Sequence, residues 1–263
     1  MHCLTLSATK NEHVAGILAQ DQKIRIGGTR QTIELKGHAV AVLLKLEVQE
    51  YDLLILTADE EEHVAPILAL EQMVSLRRTK KMELRDYAAN LLPKLEILEG
   101  TVLEELTLGA KKNEHVARIL AQELKIPIGG IQKIELRDYA VVVLLKLKIQ
   151  EGGMLEALIL AAENREHVTP VLEQRQMVSV GGIQKMELSN YAVCILPKLE
   201  VREGGELEEL VLGAWRKEHI TEILSMEDES INVWDVAVVI SGGCQREIHK
   251  KLKGTNIAIM PVE

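Results

Sequence analysis

Five histidines, each preceded by glutamate, recur along the chain: Glu12-His13, Glu62-His63, Glu114-His115, Glu166-His167 and Glu218-His219. Imidazole beside carboxylate is the donor pair of a zinc site or of an acid–base centre. A zinc site requires three or four ligands within about 2.0–2.3 Å of one point. The glutamates stand at intervals of 50, 52, 52 and 52 residues, so each pair occupies the same position in a repeated unit. Equivalent positions two strands apart in a stacked sheet are separated by roughly 10 Å, twice the ~4.8 Å strand spacing. Neighbouring copies of the pair therefore cannot share an ion. The sequence assigns these histidines to the scaffold, at the start of each helix, and calls for no metal and no cofactor.

A second stretch with chemical potential is SGGCQ, which places Cys244 after two glycines. A cysteine hydrolase can use such a turn, but the next histidine, His249, lies five residues on, off the i, i+4 spacing of helix neighbours. GxSxG, GxxxxGK[ST], HExxH and the dinucleotide fingerprint are all missing from the sequence. The catalytic set is empty, and the expectation is a protein that is not an enzyme.

The elements that carry these residues form a unit of two halves. Half A is clearest in LEELTLGAKKNEHVARILAQELKIPIGG from Leu103, and half B in IQKIELRDYAVVVLLKLKIQEGG from Ile131. Both open with apolar, two polar, apolar, one polar, Leu, as in Leu103, Leu106, Leu108 and Ile131, Ile134, Leu136. The closing i, i+2 pair directs two side chains to one face of a strand. In half A the residues Val116, Ile119, Leu120 and Leu124 follow at helical spacing. Asn113 stands where a cap would start that helix, and Glu114 lies in its first turn, where the dipole favours an acid. Half B admits two readings. AANLLPKL fits a short helix with its Pro near the end, whereas VVVLLKLKIQ is β-branched and alternates like a strand. The Gly-Gly pairs at 27–28, 129–130, 152–153, 181–182 and 204–205 are hairpin turns or plain returns to the next strand.

The strands of half B carry an acid between their last two apolar residues: Glu34, Glu83, Glu135 and Glu187. Two residues earlier stand Thr32, Lys81, Lys133 and Lys185, on the same strand face. Opposite charges at this spacing pair for at most a few tenths of a kcal/mol when exposed. Half A answers with Thr5, Ile55, Thr107, Ile159 and Val211. One face of the sheet is thus striped, charge alternating with small or aliphatic side chains, and these residues are the candidate binding face. Trp215 and Trp234 near the last copies are expected to pack a terminal cap.

Composition narrows the function classes. Hydrophobic residues make up 47% of 263, yet there is no Phe and only two Trp and four Tyr. A core of Leu, Ile, Val and Ala suits thin repeated layers. A net charge of -9 lacks the basic footprint that nucleic acid or an anionic membrane requires. Three scattered cysteines show no CxxC pair, which fits a reducing compartment. The chain contains neither a signal-peptide pattern nor an apolar run of membrane-spanning length. The expected location is cytoplasmic.

The LxxLxL opening with a helical return, alternating in two lengths, resembles the leucine-rich repeats of the ribonuclease-inhibitor class, as in the sensor region of NOD-like receptors. The closing leucines run Leu6, Leu35, Leu56, Leu84, Leu108, Leu136, Leu160, Leu188 and Leu212, at spacings of 29, 21, 28, 24, 28, 24, 28 and 24. The class's usual Asn or Cys, three residues after that Leu, is replaced by Lys111, Tyr139, Glu163 and Tyr191. The resemblance implies an α/β solenoid, or horseshoe, of about ten repeats in alternating 28/24-residue pairs. The array would span 1–231, and a capping repeat 232–263, with VWDVAVVISGG as its strand and QREIHKKLKGTNIAIM as a helix and final strand. A five-fold α/β propeller is the alternative fold. Leu4 and Leu6 already belong to a repeat strand, which fits a fragment whose first layer a preceding domain would cover. The implied function is a noncatalytic protein-binding or autoinhibitory module of an intracellular receptor-like protein, its partner another protein or a preceding domain of the same chain. A consensus-derived scaffold without natural function, and a propeller enzyme or ribosome-associated factor, are the rival readings.

Overall fold

A computed structural model describes residues 2–26, 31–48, 51–76, 79–97, 103–128, 131–149, 154–201, 207–233, 236–254 and 256–259. The chain divides into two compact units, Met1–Ile131 and Gln132–Glu263, and each is α/β with a parallel sheet.

In the first unit, five strands lie side by side in sequence order: β1 (His2–Ala8), β2 (Gln31–Gly37), β3 (Tyr51–Ala58), β4 (Thr79–Asp86) and β5 (Glu105–Ala110). Their register sets Leu6, Leu35, Leu56, Leu84 and Leu108 opposite one another. The second unit has β6 (Lys133–Asp138), β7 (Met154–Ala162), β8 (Val178–Asn190), β9 (Glu209–Gly213), β10 (Ala237–Ser241) and β11 (Ile257–Ile259). There Leu136, Leu160, Leu188, Leu212 and Ile240 share a line. From Leu35 to Ile240 every member of the two lines is 0% exposed. Each such side chain contributes about 1.5–3 kcal/mol by leaving water. Because side chains alternate along a strand, fixing this line fixes which residues face outward.

The two halves return from the sheet differently. In half A the first copy forms an α-helix, Glu12–Leu18. Later copies form a 3₁₀ turn followed by a single α-turn, as in Glu61–His63 with Ala65–Leu68. Asn113 does not cap: it is the first residue of its 3₁₀ turn, and Lys112 precedes it without a side-chain bond. Leu124, expected on the apolar face, is 82% exposed, because the helical turn ends at Leu120.

In half B the chain forms 3₁₀ helices: His38–Lys45, Tyr87–Lys94, Tyr139–Leu145 and Tyr191–Lys198. The strand in VVVLLKLKIQ is confined to Leu147–Ile149. Seven or eight residues at about 2.0 Å rise reach ~15 Å, against ~11 Å for an α-helix of that length. The tighter helix lets the shorter half span the core. Ala and Val fill it: Ala39, Val40, Ala41, Val42 and Leu43 are all at most 4% exposed. Pro93 and Pro197 stand next to last in their helices. A short outer strand follows each half, pairing parallel as in Ile24–Ile26 with Leu46–Val48 and Val74–Leu76 with Leu95–Ile97.

Of the five glycine pairs named above, 181–182 is the one described, and there the hairpin reading fails: Gly182 lies in β8 opposite Met154 of the parallel neighbour β7. The other pairs lie outside the described residues. Blades of a propeller would keep the strands of each copy in a sheet of their own. Here strands of successive copies pair with each other, as β2 does with β3 and β4 with β5. The segment expected as a capping repeat supplies β10, the helix Gln245–Lys251 and β11, all continuing the second unit's layers. Among the described residues no helix is long and apolar enough to cross a membrane.

Candidate binding face

Register gathers the candidate residues into rows. In the first unit Thr5, Glu34, Ile55, Glu83 and Thr107 are successive partners along one row. In the second, Glu135, Ile159, Glu187, Val211 and Val239 do the same. These positions alternate with the buried leucine lines and are half-buried or exposed. A parallel row joins Lys81 to Glu105, and another joins Lys133, Ala157, Lys185 and Glu209.

The ionic pairing differs from the Lys-before-Glu ladder that the sequence suggests. Glu34 bonds Lys36 at 2.8 Å, Glu83 bonds Arg85 at 2.7 Å, and Glu135 bonds Arg137 at 2.6 Å. Each of these three acids thus takes the cation two residues after it, whereas Glu187 has Ser189 at that place. Of the preceding lysines only Lys133 also reaches its own Glu135, at 3.6 Å. Lys81 and Lys185 cross instead to Glu105 and Glu209 on the next strand, at 3.1 and 2.9 Å. Both choices are sterically open at i±2 on one face, and the register of the neighbouring strand decides between them. The Lys36 ammonium, with Thr5 behind it, holds the Glu34 carboxyl below the usual carboxylate range.

The histidines are where the scaffold assignment puts them, with a mechanism that sequence alone does not reveal. His63 and His167 close capping boxes: the Nδ1 atoms accept the backbone N–H of Glu60 and of Asn164 at 3.2 and 3.3 Å. Imidazole here does what Glu or Gln does in the usual box. The ring of each later histidine stacks on the first residue of the preceding 3₁₀ helix. The pairs are Tyr87–His115, Tyr139–His167 and Tyr191–His219, with centroids 4.5–4.7 Å apart. Burial pushes His115 and His219 below the ordinary imidazole range. His13, in the first copy, is exposed.

Two further recurrent residues tie copies together. Lys45, Lys94, Lys198 and Lys251 donate their ammonium groups to the carbonyls of Gln20, Leu70, Gln174 and Met226, where the preceding half-A return ends. A cation there satisfies orphan carbonyls. Asn90, 2% exposed, donates to the Glu114 carbonyl at 3.0 Å and accepts the Arg118 N–H at 2.9 Å. Cys194 donates to the His219 carbonyl at 3.0 Å. The turn-bonding role looked for three residues after the closing Leu falls six residues after it, at Asn90 and Cys194. The signal was present in the sequence as an Asn and a Cys in an otherwise apolar column.

Cys244 is 2% exposed, and burial pushes its thiol up, away from the thiolate that a nucleophile needs. Trp215 is 60% exposed and packs no cap, because it sits in the turn after β9 rather than on an inward position. Trp234 lies outside the described residues. No protein-family model, no curated protein and no solved structure matches the chain.

Proposed function

We propose that the chain is a noncatalytic protein-binding module of leucine-rich-repeat type, acting through the outward rows of its parallel sheets. The observation that carries this reading is the in-register alternation of Glu34, Ile55, Glu83 and Thr107, and of Glu135, Ile159, Glu187 and Val211. A repeated parallel scaffold presents one outward residue per strand in each row, and those residues can change without disturbing the leucine lines. The partner suited to such a face is a protein surface that offers apolar side chains to the aliphatic positions and both charges to the Glu, Lys and Arg between them. The buried, raised thiol of Cys244 and the use of His63 and His167 as caps support a noncatalytic role.

The test is capture of partners from an extract on immobilised protein. Wild type is compared with the Ile159→Glu/Val211→Glu variant and with a Glu71→Lys/Glu173→Lys variant on the helical side. A discrete partner lost only with the first variant supports the reading. Equal loss with both variants, or loss only with the second, overturns it.

A further inference from the structure

We propose that His38, Glu62 and His63 form a binding site for a divalent transition-metal ion of the zinc class, joining the first copy of the unit to the second. His38 opens the 3₁₀ helix His38–Lys45, and His63 closes the turn Glu61–His63. Their rings meet edge to face, with centroids 4.5 Å apart at 77°. One donor atom from each of the three residues lies within 4.8 Å of the other two, and among the described residues no other trio of His, Cys, Asp or Glu does so. Two imidazoles and a carboxylate are a donor set that zinc takes, with its fourth position left to water.

One of the three separations already matches what an ion needs, and the other two are within 4.8 Å. Bonds of about 2.0–2.1 Å around a tetrahedral centre set neighbouring donors roughly 3.3–3.4 Å apart. His38 Nε2 and Glu62 Oε1 already stand 3.4 Å apart. The Glu62 side chain is 70% exposed, while that of His38 is 11% exposed. His63 Nδ1 accepts the Glu60 N–H at 3.2 Å, so Nε2 carries the proton in the metal-free protein. Binding through Nε2 requires that proton to move to Nδ1 and the Glu60 N–H to turn from the ring to solvent, which exchanges the Glu60 bond for the metal bond.

The site is specific to one copy. At the place of His38 the later copies carry Tyr87, Tyr139 and Tyr191. Tyr87 and Tyr139 keep their phenol protons and donate hydrogen bonds to Glu114 and Glu166, the equivalents of Glu62. In those copies Asp86 and Asp138 also bring a carboxylate to 3.2 Å from the histidine Nδ1, where the first copy has Gly37. The first junction thus replaces a phenol and a carboxylate by an imidazole and a glycine. It alone presents two imidazoles to one glutamate.

Zinc alone is the probe, titrated against a chromophoric chelator in a Cys3→Ser background that removes the exposed thiol. The site predicts one saturable zinc per chain. His38→Tyr, the residue of the later copies, is expected to lower affinity by roughly tenfold or more while leaving the urea midpoint in chelator unchanged. Glu62→Gln is expected to weaken binding in the same direction. The proposal is overturned if the parent chain binds no zinc saturably, or if both variants bind one zinc as tightly as the parent.

Discussion

Replacing His167 by Ala tests whether the recurrent Glu-His phrase is a structural joint. The imidazole is 4% exposed, its Nδ1 accepts the Asn164 N–H at 3.3 Å, and its ring lies 4.5 Å from that of Tyr139. Loss of a capping side chain costs about 0.5–2 kcal/mol. Loss of an aromatic pair costs a further ~0.5–1.5 kcal/mol beyond burial, and the vacated space adds to both. The expected destabilisation is about 2–4 kcal/mol, large against the ~5–15 kcal/mol of an ordinary domain. Urea unfolding followed by circular dichroism measures it. The matched control is His13→Ala, in the same phrase but exposed and unstacked, for which less than about 0.5 kcal/mol is expected. Both are measured with chelator present, so that a contribution from bound metal is absent. Equal small effects at the two positions would refute the joint, and equal large effects would refute the dependence on burial and stacking.

Three further outcomes follow from the same contacts. His115 and His219 have folded pKa values lowered from 6.5 by burial, so the unfolded chain binds protons first. Stability is therefore expected to be flat above pH 6.5 and to fall as pH drops below it, and a urea midpoint series across pH 5–8 checks the sign. The Cys194 thiol is pushed up to about 12 by burial, and Cys244 is raised as well, whereas Cys3 is exposed. A thiol reagent at neutral pH should modify one cysteine rapidly in the native protein and all three in denaturant, as counted by mass spectrometry. Lys94→Met removes the ammonium that bonds the Leu70 carbonyl. A loss of ~1.5–3 kcal/mol in urea unfolding is expected, as for a charge-assisted hydrogen bond.

The leucine lines were legible because alternation in a strand has period two, and a slip of one residue would turn every side chain over. Leu35, Leu56 and Leu84 could therefore be aligned from sequence, and with them Glu34, Ile55 and Glu83. The helical form of half B was not legible. An apolar run such as YAVVVLLK serves a buried strand or a buried helix equally well, and the choice is made by the distance the chain must cover. The long-range partners were hidden for another reason. Tyr139 and His167 are 28 residues apart, and nothing local marks them as a stack. Lys94 looks like a solvated charge until the carbonyl of Leu70 is seen beside it. His38 was hidden by the regularity of its column, where the departure from Tyr is the informative residue.

The central claim is that the outward rows of the sheets, and not the helical side, meet the partner. A photo-crosslinking side chain placed singly at Ile55 or Ile159, on the rows, and at Glu71 or Glu173, on the exposed helical side, tests it directly. The account predicts discrete protein adducts from Ile55 and Ile159 and none from Glu71 and Glu173. Adducts from the helical side alone, or from no position at all, would contradict it.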